Sequence, residues 1–187
     1  MDAPTRPWHV QVTEELGVEP IAAGAGLDVA HHWLGHTVWP LLGQEDLVRL
    51  HRGAGARMIA EEEWRAALTP ALTDLYRRAY PHEAAYATAS AAASGFALKH
   101  GYGQAEATEY GESYAAMNTD ANQRVHAEAN ARAVASLTAK AFAAGDAEAY
   151  ALTWPGAMIR ACVVVAGPEA RDRLAEGLRD SMARLSP

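Results

Sequence analysis

Apolar positions recur with helical spacing along most of the chain, and the alternation that marks β-strands is almost absent. Glycine and proline interrupt this pattern at intervals typical of helix ends. Only the run 162–165 has strand character, and it is too short and isolated to predict a sheet. The pattern therefore predicts an all-α fold of seven to nine helices, arranged as a bundle or an orthogonal array.

The predicted helices fill one domain over residues 27–187, after an irregular Pro/Gly-rich segment over residues 1–26 with a short extended piece at 8–12. Each helix ends at a glycine or proline signal or begins at a capping residue. The expected ranges are 27–39, 44–52, 57–68, 70–80 with Thr69 as its N-cap, 82–100, 104–117, 119–144, a short helix after Asp146, 157–166 and a last helix that ends near 184.

The composition favours a helical fold and excludes several classes of function. The chain has 187 residues, with 43 alanines against three isoleucines, and this balance favours helix over sheet. One cysteine excludes a disulfide framework and a cysteine zinc site within the chain. A net charge of −7 argues against nucleic acid as a partner. No signal peptide or apolar run of membrane-spanning length is present, so we expect a cytoplasmic protein that does not enter a membrane. The many alanines, with 14 arginines against two lysines, suggest a bacterial genome of high GC content.

A polar stripe in the predicted helix 119–144 gives the first candidate site. At about 100° per residue, Val134 and Leu137 lie on the face expected to pack into the core. The same face carries Asn122, His126 and Asn130 in the first half of the helix. Because buried polar groups need partners, three in a row indicate a polar cavity.

The preceding helices supply walls for this cavity. Tyr110 and Tyr114 share one helix face, and Tyr86 lies on the alanine-rich helix before them. With His126 as general acid or base and the two asparagines orienting the ligand, the arrangement predicts an enzyme that needs no cofactor. We expect lyase, isomerase or cyclase chemistry on a small organic molecule.

Three histidines near the first predicted helix give a second candidate site. Asp28, His32 and His36 are spaced by four residues, which suits two imidazoles and a carboxylate around one divalent metal. His31 lies instead on the apolar face of the same helix. A metal-dependent enzyme that uses this set is one alternative function, although neither a His-Glu-x-x-His nor a Glu-x-x-His motif is present.

Tryptophans suggest a different class of function. Exposed indoles often anchor protein interfaces, and Trp33, Trp39, Trp64 and Trp154 are the candidates. The alternative is then a non-enzymatic binding module that acts as a regulator or accessory protein. Such a surface would also allow a homo-oligomer.

Overall fold

The computed structural model describes residues 6–19 and 25–185. Within these ranges the chain forms nine helices and no strand, which confirms the predicted all-α fold. The helices are α1 Trp8–Leu16, α2 over residues 27–41, α3 Glu45–Gly53, α4 Glu61–Ala79, α5 His82–Lys99, α6 Gln104–Ala144, α7 Ala147–Ala151, α8 Pro155–Ala166 and α9 Ala170–Leu185.

The segment predicted to be irregular contains a helix. Helix α1 includes the stretch at 8–12 that we expected to be extended, and the rest of that segment lies partly outside the described residues. Trp8, Val12 and Leu16 recur every four residues and are all buried, so one face of α1 packs into the core. Gly17 ends the helix in the left-handed conformation, which a residue without a Cβ adopts at little cost.

Helix α2 changes its winding in the middle. It is α-helical over Leu27–Trp33, passes through a π-helical turn over Leu34–Val38 and ends with one α-helical turn, Trp39–Leu41. A π turn holds one extra residue, so the side chains after it are rotated by about 100° relative to a regular helix. Such turns are frequent at functional sites, and this one lies beside the cleft described below.

The main core is built around tryptophan. Trp8, Trp33, Trp39 and Trp64 are all fully buried, and the indoles of Trp8 and Trp33 stack with centroids 6.4 Å apart. The indole N–H of Trp8 donates to the carbonyl of Ala25 at 2.9 Å, and that of Trp33 donates to Leu174 at 3.0 Å. These bonds satisfy the buried donors of Trp8 and Trp33, so these two rings contribute their large apolar area at little polar cost. The buried indole N–H of Trp39 has no such partner among the described residues.

Helix α6 is one continuous helix of 41 residues, about 60 Å long. The predicted break between 117 and 119 is therefore wrong, because Asn118 and Thr119 lack the glycine or proline that ends a helix. The last third of α6 packs on α4 in the main core. Its first two thirds extend beyond that core cluster. Helix α5 pairs with the part before residue 121, where His82 bonds Asp120 and Tyr86 bonds the carbonyl of Glu112, and the C-terminal end of α4 reaches Gln123.

Pro70 does not divide the helix in which it lies. We expected one helix to end at Leu68 and another to begin at Pro70 with Thr69 as its cap, but α4 runs through both. Proline lacks the N–H that a helix interior needs, so one bond of the ladder is missing there. Leu68, Leu72 and Leu75 are buried on both sides of Pro70, and this packing holds the two halves in one helix.

Candidate functional site

A cleft of about 780 Å³ opens beside the π-helical turn of α2. We call it the histidine cleft, because four histidines line it together with aromatic, charged and apolar side chains. The lining residues used below are Asp28, His31, His32, His36, His51, Arg52, Arg57, Trp64 and Phe142. They come from α2, from α3 and the loop after it, from α4, and from the end of α6.

The sequence brings α2 and α3 unusually close at the base of this cleft. Gly35 lies in the π turn, and a Cβ there would be 2.9 Å from the Cβ of His51. Only glycine allows this approach without a shift of α3. The Nε–H of Arg52 donates to the carbonyl oxygen of Gly35 at 3.2 Å and ties the two helices together. The close approach places the ring of His51 against that of His31.

His31 and His51 form a hydrogen-bonded pair. Their Nδ1 atoms are 2.9 Å apart, so one ring donates through Nδ1–H and the other accepts. The ring of His31 stacks on Trp64 at 5.5 Å with an interplanar angle of 8°. Phe142 meets His31 edge-on at 4.7 Å. His51 is only 2% exposed, whereas His31 is partly exposed and forms part of the cleft surface.

Burial keeps both rings of this pair neutral near pH 7. It lowers the pKa of His31 from 6.5 to about 4, and the carboxylate of Asp28 opposes part of this shift. Burial also holds the pKa of His51 well below its usual value, and the neighbouring His31 lowers it further. In the neutral pair the two rings have opposite tautomers, because the shared Nδ1–Nδ1 bond contains one hydrogen. The ring that donates has a free basic Nε2, and the other has an Nε2–H group.

His32 and His36 stack at the rim of the cleft with centroids 4.2 Å apart. The hydroxyl of Ser181 donates to the carbonyl of Gly177, so Nδ1–H of His32 donates to the Ser181 oxygen at 2.8 Å. Nδ1–H of His36 donates to the backbone carbonyl of His32 at 2.9 Å. In the neutral form of each ring, Nε2 is therefore the nitrogen without a hydrogen. Burial is the main cause of a lowered pKa at His32.

The predicted metal ligands are only partly brought together. His32 and His36 are neighbours, but Asp28 does not join them in a group of three side chains that could hold a metal ion. No such group of three exists anywhere in residues 6–19 and 25–185. The expected three-ligand set is therefore not assembled, since four-residue spacing aligns side chains along a helix without making them converge.

The first predicted site is divided between two surfaces. His126 and Asn122 are exposed and Asn130 is only partly buried, so the polar stripe does not face the core as expected. Of the two residues expected on the core face, Val134 packs against the core, whereas Leu137 is 54% exposed. The fully buried positions around them are Ala127, Ala131, Ala135 and Thr138.

Each part of that site has its own surroundings. The Nδ2–H of Asn130 donates to Nε2 of His126 at 2.9 Å, in a cleft of about 420 Å³ that also contains Trp154. Asn122 lies with Tyr114 in another groove, between α5 and α6. A single pocket that contains all of the predicted residues is therefore wrong.

The predicted tyrosines are also separated from His126. Tyr110 is exposed and lies 16 residues before His126 on one helix, which corresponds to about 24 Å. The hydroxyl of Tyr86 donates to the carbonyl of Glu112 at 3.3 Å and so ties α5 to α6. Neither ring can reach a ligand held by His126.

Most of the predicted interface tryptophans are in the core. Trp33, Trp39 and Trp64 are buried, so they are not surface anchors. Trp154 is 73% exposed and is the one residue other than glycine with a positive φ among the described residues. It precedes Pro155 at the start of α8, where a residue in a helical conformation is disfavoured.

Sequence reasoning missed His51 altogether. The one available signal was the position of His31 with Leu27 and Leu34 on the apolar face of its helix, since a histidine there needs a buried partner. Which residue supplies that partner depends on how α3 packs against α2.

Comparison with known proteins adds no assignment: no family model, curated protein or solved structure matches the chain. Among the helices of the described residues, none combines the length and apolar character that crossing a membrane requires.

Proposed function

We propose that this protein binds a small organic anion in the histidine cleft and catalyses a proton transfer on it without a cofactor. The observation that supports the proposal most strongly is the 2.9 Å bond between His31 and His51 inside an aromatic-walled cleft. The acid–base role predicted for His126 moves to His31, and the expected lyase, isomerase or cyclase chemistry is retained.

The cleft has the features of a small-molecule site. Its volume of about 780 Å³ lies within the usual range for ligand pockets. Trp64 and Phe142 give flat apolar walls that suit a planar organic group. The guanidinium of Arg57 is already paired with the carboxylate of Glu63, whereas that of Arg52 has no carboxylate partner among the described residues. Arg52 is therefore the cation of the lining that would hold an anionic group.

Negative charge on the ligand would also activate the histidines. In the free protein the pKa of His31 is about 4, too low for an efficient base at neutral pH. An anion against the ring raises this pKa, because it stabilises the protonated form. In the tautomer in which His31 donates the shared hydrogen, its bare Nε2 then accepts a proton while the bond to His51 holds the ring in place. Removal of a proton next to a carbonyl group is a step of many lyase and isomerase reactions and of some cyclisations.

Deuterium exchange tests the chemistry directly. We would incubate the protein in D2O with pyruvate and phenylpyruvate and follow loss of the C3 protons by proton NMR. We expect exchange above the buffer rate, and we expect His31→Gln to slow the catalysed exchange about 100-fold or more. His126→Gln is the matched control and should leave the rate unchanged, because His126 lies in a different cleft. Exchange that persists in His31→Gln, or no exchange with either acid, would contradict the proposed reaction.

Binding is measured separately with benzoate and its uncharged analogue benzamide. In protein labelled with 15N-histidine, benzoate should raise the pKa of His31 and benzamide should not, because only benzoate has the charge. If both compounds raise the pKa of His31 equally, or if benzoate leaves it unchanged, the ligand of the cleft is not an anion.

A further inference from the structure

The hairpin formed by α5 and residues 104–130 of α6 stands outside the main core. No residue between 82 and 130 belongs to the core cluster, and α5 packs on α6 and not to any comparable extent on another helix. The seam of the hairpin consists of small residues: Ala93, Ala97, Ala107, Gly111 and Ala115. Large apolar side chains of the hairpin are thus left at its surface, among them Phe96, Tyr102, Tyr110, Tyr114, Met117 and Val125.

Five of the surface positions form one straight stripe along α6. Tyr110, Tyr114, Met117, Ala121 and Val125 fall within an arc of about 80° on the helix surface. Their spacing of four, three, four and four residues resembles the apolar seam of a coiled coil. Tyr110 and Tyr114 stack with centroids 6.4 Å apart, so these two rings are already ordered. Met117, at the middle of the stripe, is 71% exposed.

We propose that this stripe binds the same stripe of a second copy, with the two α6 helices antiparallel about a two-fold axis near Met117. This arrangement matches large residues with small ones. Tyr114 of one copy lies against Ala121 of the other, and Tyr110 lies against Val125. Met117 meets its own equivalent at the axis, and its flexible side chain adapts to that contact.

The charges beside the stripe favour the antiparallel orientation. The interval 101–123 contains four acidic residues and no lysine or arginine, and Arg124 follows directly. Glu109 and Arg124 lie on the same flank of the stripe, near opposite ends of it. In an antiparallel pair Glu109 of one copy faces Arg124 of the other. In a parallel pair Glu109 would instead lie level with the acidic interval 101–123 of its partner and far from Arg124.

The available area suits a dimer that dissociates on dilution. The stripe is about 23 Å long, and the groove beside it, lined by Ala85, Ala89 and Ala92 of α5, widens the face to about 20 Å. Two such faces bury about 1,000 Å² in total, at the lower limit for a specific interface. We therefore expect a reversible dimer with a dissociation constant in the micromolar range.

Sedimentation equilibrium of the full chain tests the dimer at about 1 to 200 µM, a range that spans this affinity. We expect the wild type to move from monomer to dimer across this range. Met117→Glu places two like charges at the axis and should raise the dissociation constant about tenfold or more. Leu137→Glu is the matched control, since Leu137 is 54% exposed on the opposite side of the same helix. It should leave the dissociation constant unchanged.

Charge exchange tests the orientation. Glu109→Arg and Arg124→Glu should each weaken the dimer, and the double variant should restore most of the affinity, because the pair is then reversed. A wild type that stays monomeric at the highest concentration would overturn the proposal. Equal increases in the dissociation constant of Leu137→Glu and Met117→Glu would also overturn it. The same holds if the double variant of Glu109 and Arg124 dimerises more weakly than either single variant. Circular dichroism of each variant establishes that the helices are intact.

Discussion

Acid should destabilise this protein through the histidine pair, and the size of the effect follows from burial. In the unfolded chain His31 is protonated below its ordinary pKa of 6.5, whereas in the fold its pKa is about 4. Between these two values the unfolded state binds more protons, so falling pH favours unfolding. Each pH unit in this interval costs about 1.4 kcal/mol, which gives about 2 kcal/mol at pH 5 and about 3 kcal/mol at pH 4. His51 acts in the same direction.

Urea unfolding followed by circular dichroism measures this effect. The free energy of unfolding would be determined at about pH 7, 6, 5 and 4.5 for the wild type and for His31→Gln. Glutamine retains hydrogen-bonding groups but cannot titrate in this range, so His31→Gln should lose less stability on acidification than the wild type does. Between pH 7 and pH 5 the wild type should lose about 1 to 2 kcal/mol more of its free energy of unfolding than His31→Gln does.

A surface histidine provides the control. His126 is exposed on α6, so His126→Gln should keep the slope of the wild type. If the wild type and His31→Gln lose stability in parallel, the ring of His31 is not held neutral by burial. The cleft would then not contain a neutral histidine pair.

Two further predictions concern packing. Gly35→Ala should lower the free energy of unfolding by about 1 kcal/mol or more, because its Cβ would lie 2.9 Å from that of His51. Gly95 lies in α5 with open space around it, so Gly95→Ala should instead raise the free energy of unfolding by about 0.5–1 kcal/mol. A change of the same sign in both alanine variants, measured by urea unfolding, would contradict this reasoning. The thiol of Cys162 is buried, and burial raises its pKa to about 12. Ellman's reagent should therefore label Cys162 in urea, where the chain is unfolded, but not in the native protein. Rapid labelling of the native protein would show that the thiol is accessible.

The fold class and many helix ends could be predicted because their causes are local. Gly145 ends α6 in the left-handed conformation, and the carboxylate of Asp146 accepts from the N–H of Ala149 at the start of α7. Both signals are readable in the sequence. Pro70 misled the prediction for a related reason: its local effect is real, but the buried leucines around it outweigh that effect.

The histidine pair could not be predicted because its causes are not local. His31 and His51 are 20 residues apart and lie on different helices. Their contact depends on the π turn in α2 and on the absence of a Cβ at Gly35, which together set the distance between the helices. A helical spacing rule describes each helix alone and therefore finds neighbours such as His32 and His36, which share one helix.

The misplaced stripe on α6 has a physical cause that also explains the exposed face of the hairpin. Large apolar residues are the usual mark of a core face, and on α6 they led to the prediction that the face of Val134 and Leu137 is buried. The helix instead buries alanines, glycine and threonine every fourth residue, because close approach of its partner helices leaves room only for small side chains. At Gly111, for example, a Cβ would lie 2.6 Å from the carbonyl oxygen of Ser90. Since the seam excludes large side chains, they remain outside, where a second copy can cover them.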